Sequence, residues 1–209
     1  MKFENENAKK GVRKFIISES LFIIATMLAF GSEIVVLQSG TPDDFESLVM
    51  TSLGLFFAAG LMTLIGQIIQ LIALNQARKD EKQFKTALKF VVINLIATAV
   101  SVLTAGTFSN IFSGISAVAG LLVDVYIILG VYCVAYKLDY KKVQTSGKIN
   151  MFIVAVLFTF VIFSRLIVIF MPVLSETLDI VSYTLEFIGH LALIIYFFQA
   201  KVMFAEKTA

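Results

Sequence analysis

The stretch Phe152-Ile153-Val154-Ala155-Val156-Leu157-Phe158 presents an apolar side chain on every face of a helix that contains it. A helix that is hydrophobic all round lies either in the core of a large protein or in a membrane. The surrounding run, about 149–171, is long enough to cross a hydrocarbon core of about 30 Å at about 1.5 Å per residue. This part of the chain therefore predicts a membrane span.

Five further apolar runs of similar length lie along the same chain. The six predicted spans are about 15–37, 48–74, 87–107, 111–137, 149–171 and 178–200. Hydrophobic residues make up 58% of the 209 positions and charged residues 15%, whereas soluble domains have about 45–50% and about 25%. The sequence predicts an all-α integral membrane protein, with one membrane domain over 1–209. The break near Thr107–Asn110 is either a tight turn or a kink.

The basic residues predict the orientation of the spans. All but one of the seventeen lysines and arginines lie in the N-terminal segment, after the last span, or in and beside the second-to-third and fourth-to-fifth connections. Loops rich in Lys and Arg stay in the cytoplasm during insertion. We expect a multi-pass protein of a bacterial inner (plasma) membrane with both termini cytoplasmic. The polar segment 1–14 either lies on the anionic inner leaflet through its lysines or is a disordered tail.

The spans also pair into three helical hairpins, about 15–74, 87–137 and 149–200. The second, fourth and sixth spans end alike, in Gln76-Ala77-Arg78, Ala135-Tyr136-Lys137 and Gln199-Ala200-Lys201. Any span that ends at a basic interface has a similar pattern. The chain is therefore either a triplicated hairpin or a set of unrelated spans with similar ends.

Five polar residues are predicted to share one layer of the membrane, about 10 Å thick, when depth is counted along each helix from the nearest basic residue. They are Gln67, Asp124, Arg165, Glu186 and His190. Ionisable residues at this depth face the protein interior or a cavity and are candidates for function. Glu19, five residues past Lys14, is a weaker candidate because water or a lysine is expected to reach it.

Three interpretations of this layer remain open. In the first it is a ligand-binding pocket, in which Arg165 holds an anionic group and Asp124 and Glu186 hold a cation or proton. In the second Arg165 pairs with Glu186 or Asp124 and only fixes the helix register. In the third Arg165 contacts a lipid headgroup.

The residue types that most enzymes and metal sites need are scarce. One histidine and one cysteine exclude an ordinary zinc site, and no phosphate-binding glycine motif occurs, so we expect no metal and no cofactor. Ser113-Gly114 and Gly189-His190 give the chain a faint resemblance to the six-helix rhomboid intramembrane proteases, but Ile111 replaces the family's glycine before the serine. We expect that the protein is not an enzyme.

The stretch from Leu74 to Ala87 resembles a loop of uncharacterised small membrane proteins of Gram-positive bacteria, which implies no activity. We expect the protein to bind or transport a small solute or ion. The alternative is a non-catalytic accessory or scaffold subunit. Expected partners are the lipid bilayer, a small solute or ion, and a membrane protein or a second copy of the chain. The net charge of +2 is too small to predict nucleic acid.

Overall fold

The computed structural model describes residues 5–37, 45–104, 107–170 and 175–206, and within these ranges the chain is helical apart from short connections. The helices are α1 (Glu6–Leu37), α2 (Phe45–Ala77), α3 (Lys82–Leu103), α4 (Thr107–Lys137), α5 (Lys141–Phe170) and α6 (Ser175–Glu206). All six are long and apolar enough to span a membrane. The predicted all-α architecture is confirmed, and it is consistent with a polytopic membrane protein.

Consecutive helices pack side by side and close into a ring. α1 packs against α2 and α6, α3 against α4, and α5 against both α4 and α6, whereas the contact between α2 and α3 is smaller. We call the end at which α1, α3 and α5 begin the basic end, because most of the lysines and arginines cluster there. The ring encloses a central space that side chains from all six helices reach.

The outer surface of the ring is apolar. Large exposed hydrophobic side chains occur on every helix, among them Ile17, Phe56, Phe57, Ile96, Phe108, Phe152, Phe163 and Ile195. A water-soluble monomer rarely exposes so continuous an apolar surface. This surface matches the hydrocarbon of a bilayer.

The break between α3 and α4 lies earlier than the sequence predicts. α3 ends at Leu103 and α4 begins at Thr107, so residues 107–110 are already helical. Ser109 Oγ donates a hydrogen bond of 2.8 Å to the Ser101 carbonyl on α3. Small polar residues interrupt the apolar pattern here and suggested the break. The Ser109 hydroxyl bonds to a backbone carbonyl of α3, so this polar group is satisfied while α4 stays helical.

The described part of segment 1–14 is an anchored helix start, since α1 begins at Glu6. Asp80, in the α2–α3 connection, accepts hydrogen bonds from the Ala8 backbone N–H at 2.6 Å and from Asn7 Nδ2 at 2.9 Å. A carboxylate is favourable at a helix N-terminus because it satisfies free N–H groups and complements the helix dipole. A disordered tail is therefore wrong for these residues.

Each hairpin carries one hydroxyl pair between its two helices. Ser32 and Ser52 lie 2.9 Å apart, Thr98 and Ser116 2.8 Å, and Ser164 and Ser182 3.0 Å, measured between hydroxyl oxygens. Small hydroxyl residues let helices approach closely and bond across the interface. The three hairpins therefore share a packing device, although its position along the helices differs.

The turn between α4 and α5 is closed by a residue in the left-handed conformation. Asp139 has a φ of 47°, and the backbone N–H of Tyr140 donates to the Ala135 carbonyl at 2.9 Å. This pattern satisfies the last carbonyls of a helix and usually uses glycine or asparagine. The Asp139 side chain is exposed and lies outside the ring.

Candidate functional site

A cavity of about 290 Å³ lies inside the ring and is lined by all six helices. A second cavity of about 550 Å³ adjoins it, because both are lined by Phe22, Thr63, Gln67, Thr98, Glu186 and His190. Closely packed protein interiors rarely contain voids of this size. The two cavities together form a space with a partly polar lining inside the described bundle.

Four of the five polar residues predicted to share one layer do line this space. Gln67 reaches it from α2, Asp124 from α4, and Glu186 and His190 from α6. The side chain of Arg165 lies outside the described residues, so its predicted pairing with Asp124 or Glu186 is not described. The structure thus brings the predicted layer together on three helices.

A polar contact between two buried side chains joins α1 to α6 beside the cavity. His190 Nδ1 lies 2.7 Å from Glu19 Oε2. An ionised carboxylate can only accept, so Nδ1 carries the shared hydrogen when Glu19 is ionised. The other Glu19 oxygen, Oε1, is buried and accepts no hydrogen bond from the described residues.

The expectation that water or a lysine reaches Glu19 is wrong. Its side chain is fully buried. The depth estimate started from Lys14, but α1 continues past that lysine to Glu6, which lies thirteen residues before Glu19. Thirteen residues correspond to roughly 20 Å of helix, and this depth brings Glu19 level with the cavity.

Two aromatic rings hold the His190 imidazole in place. The Phe22 ring lies 5.4 Å from it between centroids, and the Phe158 ring stands edge-on at 6.4 Å. Phe22 can approach because α2 has a glycine opposite: a Cβ built on Gly66 would lie 2.6 Å from the ring. These contacts fix the imidazole with Nδ1 toward Glu19.

Asp124 is the second buried carboxylate of the site. It is 6% exposed and lines the smaller cavity. It interacts electrostatically with Glu19 and His190. Within the described part of the chain, no group donates a hydrogen bond to it. A buried carboxylate without a donor is costly, since burial removes its hydration.

An amide and two hydroxyls line the cavity beside Asp124. Ser116 Oγ and Thr98 Oγ1 both lie within hydrogen-bond distance of Asn94 Oδ1, at 2.5 Å and 3.2 Å. Ser116 lies two helical turns before Asp124 on the same face of α4. This group is not among the predicted site residues, although Asn94 stands alone in an apolar run and has the same sequence signal as Gln67.

A cluster of aromatic side chains, which we call the aromatic floor, lies between the cavity and the basic end; it consists of Phe15, Phe84, Tyr196 and Phe197. All four side chains are fully buried. The Phe15 ring lies 6.0 Å from that of Phe84 and 5.5 Å from that of Phe197, and Tyr196 Oη donates to a backbone carbonyl on α4 at 3.2 Å. Phe15 lies one helical turn before Glu19, so the floor lies directly below the buried pair.

The charge of the site is acidic. Among the described lining residues, Asp124 and Glu186 are carboxylates and His190 is the one basic group. The described residues include no group of three or more histidine, cysteine or acidic side chains arranged to hold a metal ion. The site therefore offers anionic and hydrogen-bonding groups in a space large enough for a small molecule.

Neither the family models, the curated proteins nor the solved structures gave a match to this chain.

Proposed function

We propose that this protein is a multi-pass protein of the cell membrane that binds a small solute or ion in its central cavity and transports it. The observation that carries the proposal is the buried Asp124 carboxylate, which lines a polar cavity and receives no hydrogen bond from the described residues. Such a group is expensive to keep in a membrane and is retained where it has a task.

The distribution of basic residues supports a direction for the cavity. If the basic end lies in the cytoplasm, as positive loops favour, the aromatic floor separates the cavity from the cytoplasm. Transport then requires the floor to open, which agrees with a mechanism in which helical units rock around a central site. The relatively small α2–α3 contact is the seam at which the ring would separate most easily.

Native mass spectrometry of the protein released gently from membranes tests the proposal. We expect a stoichiometric small ligand on the wild-type protein, its loss in Asp124→Asn, and its retention in Asp139→Asn. Asp139→Asn is a matched control, because it removes the same charge at an exposed turn where asparagine tolerates the positive φ.

A stoichiometric second protein without a small ligand would refute the proposal and favour the accessory or scaffold subunit. A bare chain with no ligand would also count against it. If Asp124→Asn retained the ligand, the Asp124 carboxylate would not be part of the binding site.

A further inference from the structure

We propose that the ligand of the cavity is an organic amine cation with an apolar body, and that Asp124 holds its ammonium group. This inference rests on the proposed function and names the chemical class of its substrate.

The carboxylates of the site differ in what they already bind. Glu19 is fully buried and its Oε2 is 2.7 Å from His190 Nδ1. Asp124 is 6% exposed, and it receives no hydrogen bond from the residues that the structure describes. Glu19 Oε1 also accepts no hydrogen bond from the described residues, but Glu19 is not among the residues given as lining either cavity. Asp124 lines the smaller cavity, so its carboxylate is the one placed to accept hydrogen bonds from a ligand there.

An ammonium group matches what Asp124 lacks. A primary amine cation has three N–H donors and no acceptor, so it can bond a carboxylate and two neutral acceptors at once. Gln67, Gln70 and Ser116 line the same cavity and have oxygens that can serve as those acceptors. Binding a cation would also offset the cost of a buried negative charge.

The adjoining cavity suits an apolar body. Apart from the residues it shares with the first cavity, much of its lining is hydrocarbon, from Ala25, Ala29 and Ala59 and from Phe56 and Leu64, whose side chains are also exposed on the outer surface of the ring. Its polar lining consists of residues that it shares with the first cavity, among them Glu186 and His190, together with Thr26 and Tyr183. A ligand that extends from Asp124 into this space would have one charged end and one apolar end.

The experiment compares three probes of similar shape, namely 2-phenylethylamine, 2-phenylethanol and 3-phenylpropionate. The protein is placed in nanodiscs of zwitterionic lipid, and probe-induced shifts of the unfolding midpoint yield affinities, with empty nanodiscs as the partition control. Because a hydrogen bond to a charged group contributes about 1.5–3 kcal/mol, we expect the amine to bind about tenfold or more tightly than the alcohol.

The variants separate the charged end from the apolar end. Asp124→Asn should remove the preference for the amine, whereas Asp139→Asn should keep it. Ala29→Leu narrows the apolar space and should weaken the amine and the alcohol by a similar factor. If Asp124→Asn fails to fold, the wild-type preference for amine over alcohol still decides.

Equal affinity for the amine and the alcohol, tighter binding of the carboxylate, or no binding of any probe would overturn the inference. These results would not refute the proposed function, which is tested separately. Native mass spectrometry detects a ligand that the protein has bound in the cell, without any of these probes. An anionic or neutral ligand found there would keep the transport function and refute the amine class.

Discussion

Replacement of Gly130 by alanine should loosen the aromatic floor. A Cβ built on Gly130 would lie 2.6, 2.7 and 2.8 Å from three carbon atoms of the Phe84 ring. Carbon atoms in contact prefer about 3.5–4.0 Å, so the ring must retreat by about 1 Å. It has no free space to retreat into, since Phe84 is fully buried and stacks on Phe15.

Two opposing contributions set the expected change in the free energy of unfolding. Overpacking of a tight core costs about 1–3 kcal/mol. Alanine in place of glycine inside a helix returns roughly 0.5–1 kcal/mol. We expect Gly130→Ala to be destabilised by about 1–2 kcal/mol, which lowers the unfolding midpoint of a chain of this size by roughly 2–8 °C.

Gly114 on the same helix is the matched control. A Cβ built there meets nothing within 4 Å, so Gly114→Ala should be neutral or slightly more stable. Thermal unfolding of the purified protein in detergent micelles measures both variants. Equal midpoints for Gly130→Ala and Gly114→Ala, or a more stable Gly130→Ala, would refute the close packing of Phe84 against α4.

Three further predictions concern contacts at the helix ends and within one hairpin. Asp80→Ala should lower the free energy of unfolding by about 1–2 kcal/mol and speed amide hydrogen exchange in the first turn of α1. The reason is that Asp80 accepts hydrogen bonds from the Asn7 side chain and from the Ala8 backbone N–H. Unchanged exchange would contradict this prediction. The hydrogen bond to Glu206 is the main cause of the raised pKa of Tyr140, and desolvation raises it further. The contact should therefore stabilise the fold fully below the ordinary tyrosine pKa, and its contribution should be lost as the pH rises through the raised pKa. Tyrosinate absorbance should therefore show Tyr140 titrating at lower pH in Glu206→Gln, and an unchanged titration would exclude the bond. Ser182→Ala should lower the free energy of unfolding by about 0.6 kcal/mol, the average for such a bond between membrane helices. The loss should be larger if the buried hydroxyl of Ser164 on α5 is left without a partner. Thermal unfolding measures the difference.

The number and length of the helices could be predicted from the sequence because each span is fixed by local composition. A run such as 149–171 is long and apolar enough to cross a hydrocarbon layer, whatever its neighbours are. The helix ends were less predictable, since helices continue beyond the apolar runs into polar residues. α5 begins at Lys141 and α6 ends at Glu206, both well outside the predicted spans.

The rotation of each helix about its own axis was harder to predict from the sequence than its length. A span that is apolar all round carries no clear signal for which face meets lipid and which meets protein. Polar residues are the exception, because the membrane penalises them on the lipid side. For this reason Gln67, Asp124 and His190 do meet in one cavity, as their depth and polarity predicted.

The missed residues follow from the same physics. The distance of Glu19 from Lys14 would equal its distance from water only if α1 began near that lysine, but α1 starts eight residues earlier. The partner of Glu19 is His190, which lies 171 positions away in sequence. Only the closing of the ring between α1 and α6 brings the two together, and no local pattern encodes that closure.

The aromatic floor and the charged cavity depend on each other. Glu19 lies one turn beyond Phe15, and Asp124 lies one turn from Ile128, whose carbonyl accepts the Tyr196 hydroxyl. A buried polar pair in a loose core would admit water and relax, so the 2.7 Å contact between Glu19 and His190 needs rigid packing on at least one side. The floor supplies that packing toward the basic end, and the opposite side is left open as cavity. A pair that only fixed helix register would be better served by packing on both sides, so one rigid wall and one open, acidic side favour the proposed binding site.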